Sequence, residues 1–382
     1  MKKQKIALVY DWVDKWGGVE RLLLELHRIY PAAPLYTSFY NPKTAPWARS
    51  IKIKTSFMQN LPDFVKKSRV LSLLFFPFAF LSFDLSRYDM IISVSSAFAK
   101  GVKTTPNQKH ISIILTPPRY LWSHQNDYLN NSIKYLFEQC LNILKWCDFK
   151  IAQKPDVLFS ISDRVRHRVK KYYRRDSEVL YPPFDTAYWS QIKKQISTKK
   201  FRPGFYFIPK NEYYLVVSRL ETYKKIDLVL QLFKQLKQPL IVVGSGTQEN
   251  KLKQFVKKNK MNNILFLKNV TDADVAYLYT YARALTMPQE EDFGYTSLEA
   301  QFFGCPVISF KNSGAAETII NGKSGILFDK QSIKSLSNAI ERSKSIPYND
   351  RHESDYLRGR SWHKTVATFK KKITEAVRKN HR

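Results

Sequence analysis

Short runs of β-branched and aliphatic residues alternate with helix-period patterns along almost the whole chain, and the series starts twice. Parallel sheets covered by helices give this pattern, because a parallel strand reaches its neighbour only through a crossover, usually helical. Ile6–Tyr10 reads as a buried first strand. After Gly17-Gly18, apolar residues at Val19, Leu22, Leu23, Leu26 and Tyr30 keep the helical period until Pro31 stops it. Met90–Val94, Ile111–Leu115, Asp156–Ile161 and Val179–Tyr181 read as further strands, with a basic helix over Arg164–Arg175. Pro182-Pro183 and the polar stretch Gln191–Gly204 carry no period and predict a linker. The series then restarts with a strand at Tyr213–Ser218 and a helix at Ile226–Leu236, striped by Val229, Leu232, Phe233 and Leu236. Leu240–Val243, Ile264–Leu267, Ala284–Met287 and Pro306–Phe310 continue it. The fold class is therefore α/β, in two successive units of similar size. A length of 382 residues agrees, at roughly 100–200 residues per domain. The expected divisions are 1–185, 186–345 and a C-terminal segment 346–382. Ligands of such sheets sit beyond the carboxyl ends of the strands, here in the cleft expected between the units.

Composition narrows the function. The three cysteines, Cys140, Cys147 and Cys305, form no C-x-x-C. They exclude a disulfide scaffold and a zinc ribbon and suit a reducing cytosol. Cys140 and Cys147, in a helical segment, are expected to be buried apolar residues. Lys and Arg outnumber Asp and Glu by 63 to 32, a net charge of +31. The excess divides almost evenly, +14 in residues 1–190 and +17 in 191–382. Nucleic-acid readers concentrate charge on one face or arm, so the even spread speaks against one. It suits a Lys-rich composition drift as well as adhesion to an anionic membrane or steering of a phosphorylated substrate. The apolar run after Lys5 stops at Asp11, too short for a signal peptide. The longest apolar stretch, Val70–Phe83, has 14 residues and contains Pro77, against the roughly 20 a spanning helix needs. We expect a chain that is soluble or lies on a membrane.

Three loops could carry chemistry. Gly17-Gly18-Val19-Glu20 joins the first strand to its helix, where backbone N–H groups can approach an anion; an ordinary turn explains a lone Gly-Gly better. Ser218-Arg219-Leu220-Glu221-Thr222-Tyr223-Lys224-Lys225 follows a strand, so Arg219 and Lys224 can meet a diphosphate whose charge grows as a bond to it breaks; a solvated basic turn suits the run equally. In the third, Pro288 to Ala300, Glu291 and Glu299 can accept hydrogen bonds from two sets of sugar hydroxyls. Gly294 permits close backbone approach there, and helix N-terminal amides after Phe293 can meet phosphate. Gly244-x-Gly246 lacks the third glycine of a dinucleotide fingerprint. Asp272-Ala273-Asp274 opens a helix and reads as capping rather than metal binding.

These pieces add up. Gly17-Gly18-x-Glu20-Arg21, Leu85-Ser86-Arg87-Tyr88-Asp89 before Ser95-Ser96-Ala97, and Thr116-Pro117-Pro118-Arg119-Tyr120-Leu121-Trp122 come first. Tyr181-Pro182-Pro183, Ser218-Arg219-Leu220 with Lys224, and Glu291-Asp292-Phe293-Gly294 through Glu299-Ala300 complete the set. Over roughly residues 5 to 330 the chain resembles the retaining nucleotide-sugar glycosyltransferases of family 4, in the branch that adds mannose or related sugars. The resemblance implies a GT-B fold, two Rossmann-like domains facing each other across a cleft. The first would bind the acceptor and the second the nucleotide sugar, with a C-terminal helix over Trp362–Arg378 crossing back to the first.

It also implies roles. Arg219 and Lys224 would hold the donor diphosphate and stabilise it as leaving group, and Glu291 would bind the transferred sugar; these three are the expected catalytic residues. Glu299 would bind the ribose, and Asn269 and Val270 the base. The amides of Gly17, Gly18, Phe293, Gly294 and Tyr295 would contact phosphate and sugar, with Arg119 and Tyr120 on the acceptor side. The implied reaction moves a hexose from a nucleoside-diphosphate donor, GDP-linked, to a glycan or lipid-linked glycan in polysaccharide or lipopolysaccharide synthesis. It implies no metal, no cofactor, no covalent nucleophile and no nucleic-acid partner. The implied place is cytoplasmic, peripheral on the inner face of the cell membrane. Val70–Phe83, beside Lys66-Lys67 and Arg69, would dock on anionic lipid, with a packed internal helix as the alternative. Two positions depart from the family: Leu115 stands where histidine is common, and Lys268 where glycine is usual. A nucleotide-sugar epimerase and a non-catalytic GT-B partner in a glycan-assembly complex are the rival readings.

Overall fold

The computed structural model describes residues 4–67, 71–72, 75–123, 138–198, 200–205, 212–346 and 362–379. The chain divides into two compact units, Met1–Pro183 with Val366–Arg382, and Phe184–Thr365.

The first unit is built on β1 (Ile6–Tyr10), β2 (Leu35–Thr37), β3 (Ile53–Thr55), β4 (Met90–Ser95), β5 (Lys109–Ile114), β6 (Val157–Ser160) and β7 (Glu178–Val179). Their spatial order is β3-β2-β1-β4-β5-β6-β7, and every pairing is parallel. The register sets Ala7 beside Ile91, Ile92 beside Ile111, and Ile113 beside Phe159. These residues are all buried, which is why the central strands read as unbroken apolar runs: helices cover both faces. The helix Gly18–Ile29 presses Leu22, Leu23 and Leu26 inward.

The second unit has β8 (Tyr214–Val217), β9 (Leu240–Val243), β10 (Ile264–Leu267), β11 (Ala284–Met287), β12 (Val307–Phe310) and β13 (Gly325–Phe328). Their order is β10-β9-β8-β11-β12-β13, again all parallel. The helix Ile226–Leu236 buries Val229, Leu232 and Phe233 as its stripe predicts.

Several expectations change. The first part of the polar stretch read as linker, Gln191–Ile196, belongs to the helix Thr186–Ile196, started by Asp185, whose Oδ1 accepts the N–H of Tyr188 at 2.9 Å. Trp189 is its one buried residue, so no apolar period marks it in the sequence. The last helix, Trp362–Lys379, buries Phe369 and Ile373. Lys372 Nζ pairs there with Glu178 at 2.5 Å and donates to the Val179 carbonyl at 3.1 Å. Cys140 is exposed and Cys147 half-buried, so only Cys305 is a core cysteine.

Of Val70–Phe83, residues 70, 73 and 74 lie outside the described residues. Within the rest, Phe76–Leu81 forms a helix, and Phe76, Ala79, Phe80 and Phe83 join the core with Trp12 stacked on Phe76 at 5.4 Å. Phe78 stays 65% exposed. Among the described residues no helix is long and apolar enough to cross a membrane.

A dehydrated polar network braces the first sheet. The Asp11 carboxylate, just past β1, accepts the backbone N–H groups of Ser96 at 2.5 Å, Ala97 at 2.9 Å and Ala99 at 2.8 Å. Burial pushes the Asp11 carboxyl up, and these donors, with Lys100, oppose the rise. Lys100 Nζ meets Asp148 Oδ1 at 2.6 Å with side-chain exposures of 1% and 0%. The indole N–H of Trp122 donates to Asp148 Oδ2 at 2.7 Å. A charge so deep is kept only because it is paired.

His110 lies in β5 with its Nε2 2.9 Å from the Ser93 hydroxyl. Burial pushes its pKa down to about 4; Asp156 opposes this, and Lys154 and Arg175 add to it. The folded state therefore holds neutral imidazole, and its contribution is full above the ordinary value near 6.5 and fades as pH falls toward 4. Between those limits the wild type is expected to lose about 3 kcal/mol more urea stability than His110→Gln. Equal pH slopes for the two proteins would contradict this.

Candidate active site

In the second sheet the strand order reverses between the adjacent β8 and β11. The loops leaving the carboxyl ends of such a pair diverge and leave a crevice, the usual ligand position of an open parallel sheet. The loop after β8 carries Arg219 and Lys224. It is tied to the loop after β9: Ser218 N–H donates to the Val243 carbonyl at 3.0 Å, and Leu220 N–H to the Ser245 carbonyl at 2.9 Å. A Cβ on Gly244 would stand 1.9 Å from the Ser218 carbonyl oxygen, and one on Gly246 2.5 Å from that of Leu220. Gly244-x-Gly246 thus serves close backbone approach and sets the height of Arg219. The Arg219 guanidinium donates to the Tyr223 hydroxyl at 2.7 Å. Lys224 ends the 3-10 turn Thr222–Lys224, and left-handed Lys225 (φ 55°) starts the next helix.

The loop after β11 brings acids to the same place. Lys224 Nζ meets Glu291 Oε1 at 2.5 Å, with side-chain exposures of 9% and 17%. Gln289 Nε2 donates to the same oxygen at 2.8 Å. The Glu291 backbone is clamped on both sides: its N–H donates to the Ser313 hydroxyl at 2.9 Å, and its carbonyl accepts from Gly314 N–H at 2.8 Å. Gly294 (φ 84°) caps the helix Tyr295–Phe302 in a left-handed conformation, where a Cβ would also stand 2.7 Å from that of Ala315. The positive end of that helix therefore opens at the crevice, with Phe293 just before it. Glu299, buried one turn on, accepts from the Tyr279 hydroxyl at 3.3 Å.

The structure thus places Arg219, Lys224, Glu291, Phe293 and Gly294 on the two loops flanking one reversal point, and Tyr295 and Glu299 on the helix that follows the second loop. Asn269 and Val270 follow β10, two strands from β8, with Asn269 left-handed (φ 55°). Gln289, Ser313, Gly314 and Tyr279 were not singled out by sequence reasoning. Only contacts between distant segments mark them, apart from Gln289, which stands two residues before Glu291.

The remaining expected residues belong to the first unit. Gly17 and Gly18 lie between β1 and the helix Gly18–Ile29, with Gly17 in extended backbone. Glu20 is buried there; its carboxyl is pushed up by burial, and Tyr10 OH lies 3.4 Å away. Arg119 and Tyr120 sit in the short helix Arg119–Trp122, held by the Trp122–Asp148 bond. Arg119 is buried and Tyr120 packs against the core. Leu115 is buried just past β5, and the His110 bond to Ser93 places that imidazole inside the sheet. Asp274 forms a capping box with Thr271, and Asp272 accepts from the Tyr188 hydroxyl at 2.5 Å, so that pair caps and braces. Among the described residues no three His, Cys, Asp or Glu side chains cluster as a metal site.

The family of glycosyl transferases group 1 matches residues 198–356, the span that carries this crevice. O-antigen chain mannosyltransferase B of Escherichia coli is 30% identical over 267 residues, 60% of this chain and 69% of that protein. The chain belongs to glycosyl transferases group 1. This group 1 glycosyl transferase is also 22% identical to the α-1,3/1,6-mannosyltransferase ALG2 of Dictyostelium discoideum over 383 residues, 88% of each chain. A match to the capsular polysaccharide biosynthesis glycosyltransferase CapM of Staphylococcus aureus, at 25% identity, spans 48% of this chain and only 51% of that protein. Among solved structures, Anabaena Alr3699/HepE in complex with UDP superposes at TM-score 0.66 and 17% identity, covering 98% of this chain and 100% of that one. The fold of this glycosyl transferase is GT-B, two Rossmann-like parallel-sheet domains.

Proposed function

We propose that this enzyme moves a hexose, mannose or a related sugar, from a GDP-linked donor to a glycan or lipid-linked glycan, with retention of configuration and without a bound metal. The observation that carries the reading is the Lys224–Glu291 pair beside Arg219 at the strand-order reversal. Arg219 and Lys224 lie on the donor diphosphate and offset the charge it gains as the anomeric bond breaks. Two fixed cations supply there the charge a metal would otherwise bring. Glu291 accepts hydrogen bonds from the hydroxyls of the transferred sugar, and Glu299 from those of the ribose. The first amides of the helix Tyr295–Phe302 point at phosphate. Asn269 and Val270 border the base. The acceptor hydroxyl attacks from the face the diphosphate leaves, so no side chain forms a bond to the sugar. Gly17 and Gly18 contact phosphate and sugar, and Arg119 and Tyr120 serve the acceptor. Mannose is favoured by the names of the E. coli and Dictyostelium relatives.

Arg219→Ala is expected to lower turnover by at least ~100-fold, the scale of one lost donor of transition-state stabilisation. Near-normal transfer by that variant would refute the assignment. A thermal-shift series with GDP, UDP, dTDP and ADP sugars identifies the base, because a ligand of the folded state raises the melting point. A shift with no turnover on any acceptor would favour the non-catalytic partner.

We also propose that the first unit docks on anionic lipid. Leu71, Phe78 and Leu81 in the apolar stretch, with Phe57 and Phe64 before it, are large exposed apolar side chains in a strongly basic chain. Flotation with anionic liposomes at low salt is expected, and its absence would end this part of the reading.

A further inference from the structure

We infer that Trp16, backed by Arg21 and Trp47, is a stacking platform for a sugar ring of the acceptor; this rests on the transfer reaction proposed above. Trp16 directly precedes Gly17, between β1 and its helix, and is 45% exposed while Trp12 and Val13 in the same loop are buried. Two segments nevertheless converge to hold it. The Arg21 guanidinium lies over the ring, 5.4 Å from its centre. The Trp47 ring stands 6.1 Å away at an interplanar angle of 55°. Trp47 is itself anchored, its indole N–H donating to the Lys15 carbonyl at 2.7 Å. One exposed indole is thereby fixed by its own helix and by the turn Pro46–Ala48 that follows β2. Core packing does not account for it, since a tryptophan serving the core would be covered.

Its position and chemistry select the ligand. In the first sheet the order reverses between β1 and β4, and the platform stands on the loop leaving β1 at that point. A pyranose has an apolar face whose C–H groups carry slight positive charge. They meet the electron-rich face of an indole, while the equatorial hydroxyls stay free for polar groups at the rim. Arg21 lies over one face of the indole and leaves the opposite face for the sugar. The donor's base and ribose are assigned to the second unit, and at this loop only the Gly17-Gly18 amides are assigned to donor phosphate and sugar, so the ring that stacks on the neighbouring indole is a neutral sugar of the acceptor.

The test uses the full chain and a panel of methyl glycosides of mannose, glucose, galactose, N-acetylglucosamine and rhamnose, read by ligand-observed saturation-transfer NMR and by tryptophan fluorescence. At least one glycoside is expected to bind the wild type, Trp16→Ala to weaken it by at least tenfold, and Trp16→Phe to recover most of it. The thermal shift given by the nucleotide sugar is expected to stay unchanged in both variants, which also shows that they fold. If no glycoside binds the wild type, or Trp16→Ala binds it normally, the platform is refuted while the donor assignment stands. Loss of liposome flotation in Trp16→Ala with glycoside binding intact would overturn it in favour of a lipid contact. Trp16-dependent glycoside binding by a protein that no nucleotide sugar stabilises would keep the platform and overturn the transfer reading instead.

Discussion

A parallel sheet turns the carboxyl ends of all its strands to one edge, and only where the strand order reverses do two adjacent loops part. In the second unit β8 and β11 meet at that point, and Lys224 and Glu291 join across it at 2.5 Å. The pair is largely dehydrated, so its attraction must offset the cost of removing two charges from water. Gln289 gives the Glu291 carboxylate a further hydrogen bond, while Ser313 and Gly314 hold the Glu291 backbone in place. The site is therefore organised before any ligand arrives. In the proposed reaction a diphosphate would give Lys224 a second anion and sugar hydroxyls would give Glu291 new donors, so neither group would be left without a counterpart.

The first unit repeats the geometry with a different result. Asp11 stands at the corresponding reversal between β1 and β4, but its oxygens are filled by backbone N–H groups of the loop after β4. Lys100 and Asp148 are closed off entirely, and through Trp122 they fix the helix that carries Arg119 and Tyr120. Exposure separates the two cases. The Lys224–Glu291 pair keeps a margin of contact with solvent and can exchange partners, whereas the Lys100–Asp148 pair is scaffold.

The sequence showed most of what the sheets do, because doubly covered strands must be continuous apolar runs. Ile6–Tyr10 and Leu240–Val243 match the structure residue for residue. The three-residue strands β2 and β3 are too short to show a period, and β13 begins at a glycine. The helix Thr186–Ile196 escaped notice because one tryptophan does the packing that an apolar stripe does elsewhere. At the site, Arg219, Lys224, Glu291 and Glu299 were legible from spacing after a strand. The clamp from Ser313 and Gly314 was not, since it joins segments more than twenty residues apart through backbone and hydroxyl groups that leave no pattern. Gly244-x-Gly246 reads as too short for a dinucleotide fingerprint, and the structure gives its glycines another task, admitting neighbouring backbone.

The most direct measurement is hydrogen–deuterium exchange of the whole chain with and without GDP or UDP. The account requires the slowed amides to lie in peptides covering Ser218–Lys225 and Glu290–Glu299, on both sides of the β8–β11 reversal. Nucleotide binding that leaves those two segments unchanged and protects others would contradict it.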